Sequence, residues 1–172
     1  MLKARFLAYS DTDWARDLDT WRSTTGYCIF LADIIVSWLS RCQRKVTFSS
    51  TKTEYVRMIE GAKQLTWIKS LFSKLKINLP SFHLYVDNQG VIFLSLDPAQ
   101  ERCTKHIDIP YYYIWECLQE GLIKLFYIGT NEQKANIFTK NLIRDKFGKI
   151  QDMIYLFSTL NIHHMILSLY NI

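Results

Sequence analysis

Between Thr51 and Leu75 apolar side chains recur at helical spacing, at Tyr55, Met58, Ile59, Ala62, Leu65, Ile68, Phe72 and Leu75, with Lys63, Lys69 and Lys74 on the other side. A stripe sustained over about six turns has to be buried against something broad, and a β-sheet is the usual partner. The flanking segments supply one. Residues 6–9, 26–31, 34–38 and 44–48 precede the helix as short β-rich runs, and residues 82–86 and 122–128 follow it. Hairpin-length connections at Ala32-Asp33 and around residues 41–43 make the early strands antiparallel neighbours. A strand, the long helix and the next strand then form a βαβ crossover. A short helix around Val91, Ile92 and Leu94 stops near Asp97-Pro98, a second over 106–121 is closed by Gly121, a third covers 131–141, and another begins after Lys146. The order is βββαβααβα, one α/β domain with a mixed sheet and no internal repeat or linker.

Composition agrees with a self-sufficient core. The chain has 172 residues, 49% of them apolar, with only six glycines and three prolines, which excludes a disordered or collagen-like chain. Cys28, Cys42, Cys103 and Cys117 are scattered without a CxxC pair, which argues against a zinc site or a secreted disulfide framework and for a reducing, intracellular compartment. The formal net charge is +5, and all 21 basic residues lie before residue 151. Such a surplus suits a polyanionic partner but also occurs in domains that bind none. The N-terminus carries no signal-peptide stretch and runs straight into a strand, as if the chain were cut from something longer. The tail is apolar but is interrupted at Ser158-Thr159, Asn161 and His163-His164, short of a membrane span. It is read as the end of a core helix and an apolar extension over 157–172, outside a domain of residues 1–156.

Three acids sit where this organisation places chemistry: Asp11 closing the first strand, Glu54 at the start of the long helix, and Asp87 closing the strand that follows it. Convergent carboxylates are what Mg²⁺ requires, and two such ions can drive phosphodiester cleavage. Each acid also has a plain structural reading. Thr51-Lys-Thr-Glu54 fits a capping box, Asp87 suits the cap of the short helix, and Asp11 or Asp13 suits a solvated turn. His106 and Asp108 fall at a helix start, where an acid suits the dipole and a histidine is usually structural. Spacing alone leaves these alternatives open.

Longer strings point further. Tyr9-Ser-Asp-Thr-Asp-Trp-Ala15, Ser23-Thr-Thr-Gly-Tyr27, Ser49-Ser-Thr-Lys-Thr-Glu-Tyr55, Tyr85-Val-Asp-Asn-Gln89, Thr104-Lys-His-Ile-Asp-Ile109 and Ile137-Phe-Thr-Lys140 occur in one order. Together they resemble the ribonuclease H domain of copia-type LTR retrotransposon Pol polyproteins, over residues 6–156. The resemblance implies a ribonuclease H-like α/β fold with a five-stranded mixed sheet. It also implies an Mg²⁺-dependent endonuclease that hydrolyses the RNA strand of an RNA·DNA hybrid, downstream of a reverse transcriptase domain, in the cytoplasm or in a virus-like particle. By position, Asp11, Glu54 and Asp87 match the family's first three metal-binding carboxylates, holding two Mg²⁺ ions for which Mn²⁺ substitutes. The fourth falls on Asn136, which keeps a carbonyl oxygen but lacks the charge that helps hold a second ion. Arg41, Arg44, Lys45, Lys105 and Lys134 are the candidates for phosphate contact, each with a solvated charge as its plain alternative.

The departures from the family share a form. Arg16, Trp21, Cys103, Tyr112, Trp115 and Asn136 stand where the resemblance leads one to expect glycine, arginine, arginine, histidine, arginine and aspartate, and each change can arise by one C-to-T or G-to-A transition. Lys52 and Arg57 add positive charge near Glu54. The second reading is therefore a catalytically impaired remnant that at most binds hybrid; a structural or DNA-binding domain is the more remote third.

Overall fold

The computed structural model describes residues 6–13, 23–42, 50–96 and 108–160, except for the side chains of 50–53, 56–57, 108–111 and 155–160. Three strands come first: β1 (Phe6–Asp13), β2 (Thr24–Leu31) and β3 (Ile34–Cys42). They form an antiparallel meander, with Phe6 opposite Leu31 and Asp13 opposite Thr24. The connection at Ala32-Asp33 is the expected two-residue turn, and both residues take positive φ, 47° and 67°, as the right-handed twist of a hairpin demands. The turn expected around 41–43 is not formed as read. Arg41 and Cys42 remain in β3, paired with Thr25 and Thr24, because β2 itself starts two residues earlier than its apolar run. The strand expected over 44–48 lies outside the described residues.

The long helix α1 is Ser50–Lys74, followed by β4 (Phe82–Val86), α2 (Gln89–Leu96), α3 (Asp108–Gln119), β5 (Ile123–Tyr127) and α4 (Arg144–Leu160). In place of a full helix over 131–141 there is a short 3₁₀ segment, Lys134–Phe138. Its backbone bonds run three residues back, Asn136 N to Gln133 O and Thr139 N to Asn136 O, both 3.2 Å. The Gln133 side chain is spent on Ala135 N and on two strand carbonyls, which pins this segment to the sheet.

The sheet has five strands in the order β3-β2-β1-β4-β5, antiparallel on the β3 side and parallel across β1, β4 and β5. Strand alternation divides the apolar residues between two cores. Phe6, Ala8, Phe82, Leu84 and Val86 meet Tyr55, Met58, Ala62 and Leu65 of α1 and Ile114 of α3. The Phe6 and Phe82 rings pack edge-on at 4.9 Å. Tyr9, Cys28 and Phe30 face the other way and close against Ala135, with Ile35, Tyr85 and Ile154 around them. Full burial of each large apolar side chain contributes about 1.5–3 kcal/mol, so α1 holds its face of the sheet firmly. Leu75, counted with the helical stripe, is 61% exposed because α1 ends one residue before it.

Two glycines differ in what they do. A Cβ on Gly61 of α1 would meet Leu84 and Ser10 at 3.9 and 4.0 Å, ordinary contact. A Cβ on Gly26 would stand 2.6 Å from the Thr139 methyl and 2.8 Å from Phe138 Cβ, so the 3₁₀ segment lies on β2 only because residue 26 has no side chain. Chemical denaturation should therefore show Gly61→Ala stabilised by about 0.5–1 kcal/mol, from helix propensity. Gly26→Ala should be destabilised by about 1–3 kcal/mol, from overpacking.

Candidate active site

β1 does not stop at Tyr9. Ser10, Asp11 and Thr12 continue it as buried polar residues, so Asp11 lies inside the strand, opposite Gly26, rather than in a solvated turn. Its side chain is 2% exposed, and each carboxylate oxygen has a protein donor. The Thr139 hydroxyl donates to one carboxylate oxygen, and the Lys140 ammonium stands 3.1 Å from the other. The loop that delivers these donors is fixed from several sides. Gly26 lets it approach, the Ser40 hydroxyl donates to the Phe138 carbonyl at 2.7 Å, and Trp38 stacks on the Phe138 ring at 5.6 Å. Beside them, buried Gln133 donates to the Ser10 carbonyl at 3.0 Å and the Tyr85 carbonyl at 3.5 Å, joining β1 to β4 where the site begins.

Asn136 is fully buried and belongs to the same corner. Its amide nitrogen donates to the Thr130 carbonyl at 2.6 Å, and its carbonyl oxygen accepts from Lys140 at 2.7 Å. The partners fix the orientation: a carbonyl needs a donor and an ammonium needs an acceptor. Lys140 thus bridges Asp11 and Asn136.

The other two acids come from α1 and from the end of β4, the strand that runs parallel beside β1. α1 begins at Ser50, which leaves Glu54 beyond the first turn, where the nearby Asn88 side chain favours its charged form. The capping-box reading of Glu54 therefore gives way. Asp87 does not cap α2 either: Asn88 Oδ1 accepts from Gly90 N at 2.8 Å and Val91 N at 3.3 Å, leaving Asp87 to accept from the Thr130 hydroxyl at 3.0 Å. Asp11, Glu54 and Asp87 line one open cleft with Ser10, Thr12, Val86 and Val91. Burial raises Glu54 above the ordinary carboxylate range, and the neighbouring Asp87 and Asp11 add to the shift. Asp87 is raised by burial first and then by Asp11.

The donor set suits a hard divalent cation. It offers carboxylate oxygens, two of them on half-buried acids, and among the described residues the buried Thr12 hydroxyl at the cleft has no hydrogen-bond partner. Among the described residues no three His, Cys, Asp or Glu side chains close around a single point. An ion here would keep part of its water shell, as Mg²⁺ does in most sites.

Of the candidate phosphate contacts, two are described. Arg41 is exposed at the end of β3, while Arg44, Lys45 and Lys105 lie outside the described residues, as do His106, Cys103, Arg16 and Trp21. Lys134 is not a solvated charge: its ammonium sits over the Tyr9 and Phe30 rings at 5.2 and 4.7 Å, and burial lowers its pKa. Tyr112 and Trp115 are exposed on α3, 55% and 37%. Sequence reasoning passed over Thr130, Gln133, Thr139 and Lys140 as site residues. The last two were visible within the Ile137-Phe-Thr-Lys140 string, but their partner Asp11 is 128 and 129 positions away.

No family model matches the chain. It is 34% identical over 146 residues to the retrovirus-related Pol polyprotein from transposon TNT 1-94 of Nicotiana tabacum, covering 85% of this chain and 11% of that protein. It is 38% identical over 142 residues to the Pol polyprotein from transposon RE1 of Arabidopsis thaliana, covering 81% and 10%. The fold matches LC11-RNase H1 in complex with RNA/DNA hybrid, TM-score 0.58 at 11% identity, over 82% of this chain and 98% of that one. It also matches the N-terminal RNase H domain of rv2228c from Mycobacterium tuberculosis, TM-score 0.52 at 12% identity, over 87% and 97%. The chain is a ribonuclease H-fold segment of the retrovirus-related Pol polyprotein family. It spans about a tenth of the length of these Pol relatives. Among the described residues no helix is long and apolar enough to cross a membrane.

Two stability measurements check this geometry. Acids whose native pKa is raised hold protons better folded than unfolded, so stability falls as pH climbs through the carboxylate range and the penalty is complete above it. Without divalent ions, Glu54→Gln and Asp87→Asn should each melt a few degrees higher than the unaltered chain at pH 7, and the gain should vanish near pH 3, where both states are protonated. In contrast, Asn136→Asp sets a carboxylate oxygen against the Thr130 carbonyl. Its unfolding free energy without divalent ions should drop by about 1–3 kcal/mol.

Proposed function

We propose that this domain hydrolyses the RNA strand of RNA·DNA hybrids, as the ribonuclease H part of a retrotransposon Pol polyprotein working beside an upstream reverse transcriptase in the cytoplasm. The observation that carries the reading is the meeting of Asp11, Glu54 and Asp87, from β1, α1 and the end of β4, at one cleft of a ribonuclease H fold. When bound there, Mg²⁺ or Mn²⁺ would activate water and stabilise the departing ribose 3′ oxygen. The protein's part is to present oxygen ligands in fixed positions. Thr139 and Lys140 orient Asp11, and Thr130 orients Asp87. No protein nucleophile is required. Exposed Arg41 and other basic side chains would contact phosphates, and recognition of the RNA strand would rest on its 2′-hydroxyls in the shallow minor groove.

One observation favours a second reading, the impaired remnant. Asn136 contributes no charge, and both ends of its amide are already committed, to Thr130 and to Lys140. Cleavage of a labelled RNA·DNA hybrid in Mg²⁺ and in Mn²⁺ separates the two. The nuclease reading expects cleavage by the unaltered chain that falls to background with Asp87→Asn. Absence of cleavage by the folded chain in both metals contradicts it, and recovery with Asn136→Asp would trace the loss to that one position.

A further inference from the structure

The Asp11 corner already contains a cation. Lys140 Nζ lies 3.1 Å from Asp11 Oδ1, as an ion pair, and 2.7 Å from Asn136 Oδ1, a short hydrogen bond from a charged donor. Its side chain is only 22% exposed, and that of Asp11 2%, so solvent does not screen the pair as it would on a surface. The backbone reinforces the placement, because Lys140 N donates to the Asn136 carbonyl at 2.9 Å and the neighbouring Thr139 holds the other Asp11 oxygen. Among the described residues Glu54 and Asp87 form no ion pair, and both feel the charges of Asp11 and Lys140.

We propose that Lys140 serves as the built-in counterion of the Asp11–Asn136 corner, so that the cleft takes up one divalent ion, on the Glu54 and Asp87 side, and not two. The inference rests on the divalent-ion reading above and deepens it. An ammonium shared by a carboxylate and an amide oxygen fills the space and neutralises the charge that a second ion would need. A divalent ion could enter that corner only by displacing a partly buried positive charge from its partners.

Counting bound Mn²⁺ by electron paramagnetic resonance, on the full chain without nucleic acid, reads this directly and independently of activity. The unaltered chain and Lys140→Arg should each bind one ion. Lys140→Gln should bind a second, weaker ion at millimolar Mn²⁺, and its melting temperature should rise more steeply with added Mn²⁺ than that of the unaltered chain. Where Lys140→Gln is unfolded without metal, recovery of its circular dichroism on Mn²⁺ addition gives the same information. Two ions in the unaltered chain, or no additional ion and no added stabilisation in Lys140→Gln, would overturn the proposal while leaving the metal-dependent nuclease reading intact. No ion bound by the unaltered chain would overturn both.

Discussion

The structure turns on a carboxylate buried in the middle of a sheet. Asp11 has almost no contact with solvent, and a charge so placed is strongly destabilising unless it is paired and hydrogen-bonded. Thr139 and Lys140 meet that requirement. Supplying them obliges a distant segment to fold back across β2, which in turn obliges residue 26 to be glycine, Ser40 to hold the Phe138 carbonyl and Trp38 to cover the Phe138 ring. The polar end of β1 is thus tolerated only because the 3₁₀ segment is docked. The docking also fixes Asn136, and through it Thr130, the residue that holds Asp87.

This chain of dependence explains why the site is electrostatically uneven. On one side Asp11 is satisfied by protein donors. On the other, Glu54 and Asp87 are half-buried and raised in pKa by burial and by neighbouring carboxylates, the form of strain expected where like charges are gathered for function. The fold is held by its two apolar cores, with α1 spanning the larger, so that this local cost is borne without loss of the architecture.

Much of the fold was legible in the sequence because it depends on local periodicity. The stripe from Tyr55 to Ile68, the alternation in β4 and the turn at Ala32-Asp33 each report a structure that their own residues build. What could not be read were features set by partners far along the chain. β1 looks complete at Tyr9 because Ser10 and Asp11 are polar, and only Gly26, Gln133, Thr139 and Lys140 make their burial acceptable. Likewise residues 131–141 have a helical look, but Gln133 and Asn136 spend their side chains on the sheet and on Thr130. Glu54 and Asp87 each fit a cap by sequence, and Asn88, which takes both the capping role and the contact to Glu54, releases them. The three carboxylates singled out by the resemblance line one cleft, while the ammonium of Lys134, a candidate for phosphate contact, sits over the Tyr9 and Phe30 rings.

The Asp11 corner depends on the Lys140 ammonium being locked between Asp11 and Asn136. Proton–nitrogen NMR of the lysine side chains observes this without metal or substrate. The account predicts one Nζ resonance with slowed hydrogen exchange and scalar coupling to the Asp11 carboxyl carbon, absent in Lys140→Arg. A spectrum in which every lysine ammonium exchanges rapidly with water would contradict it.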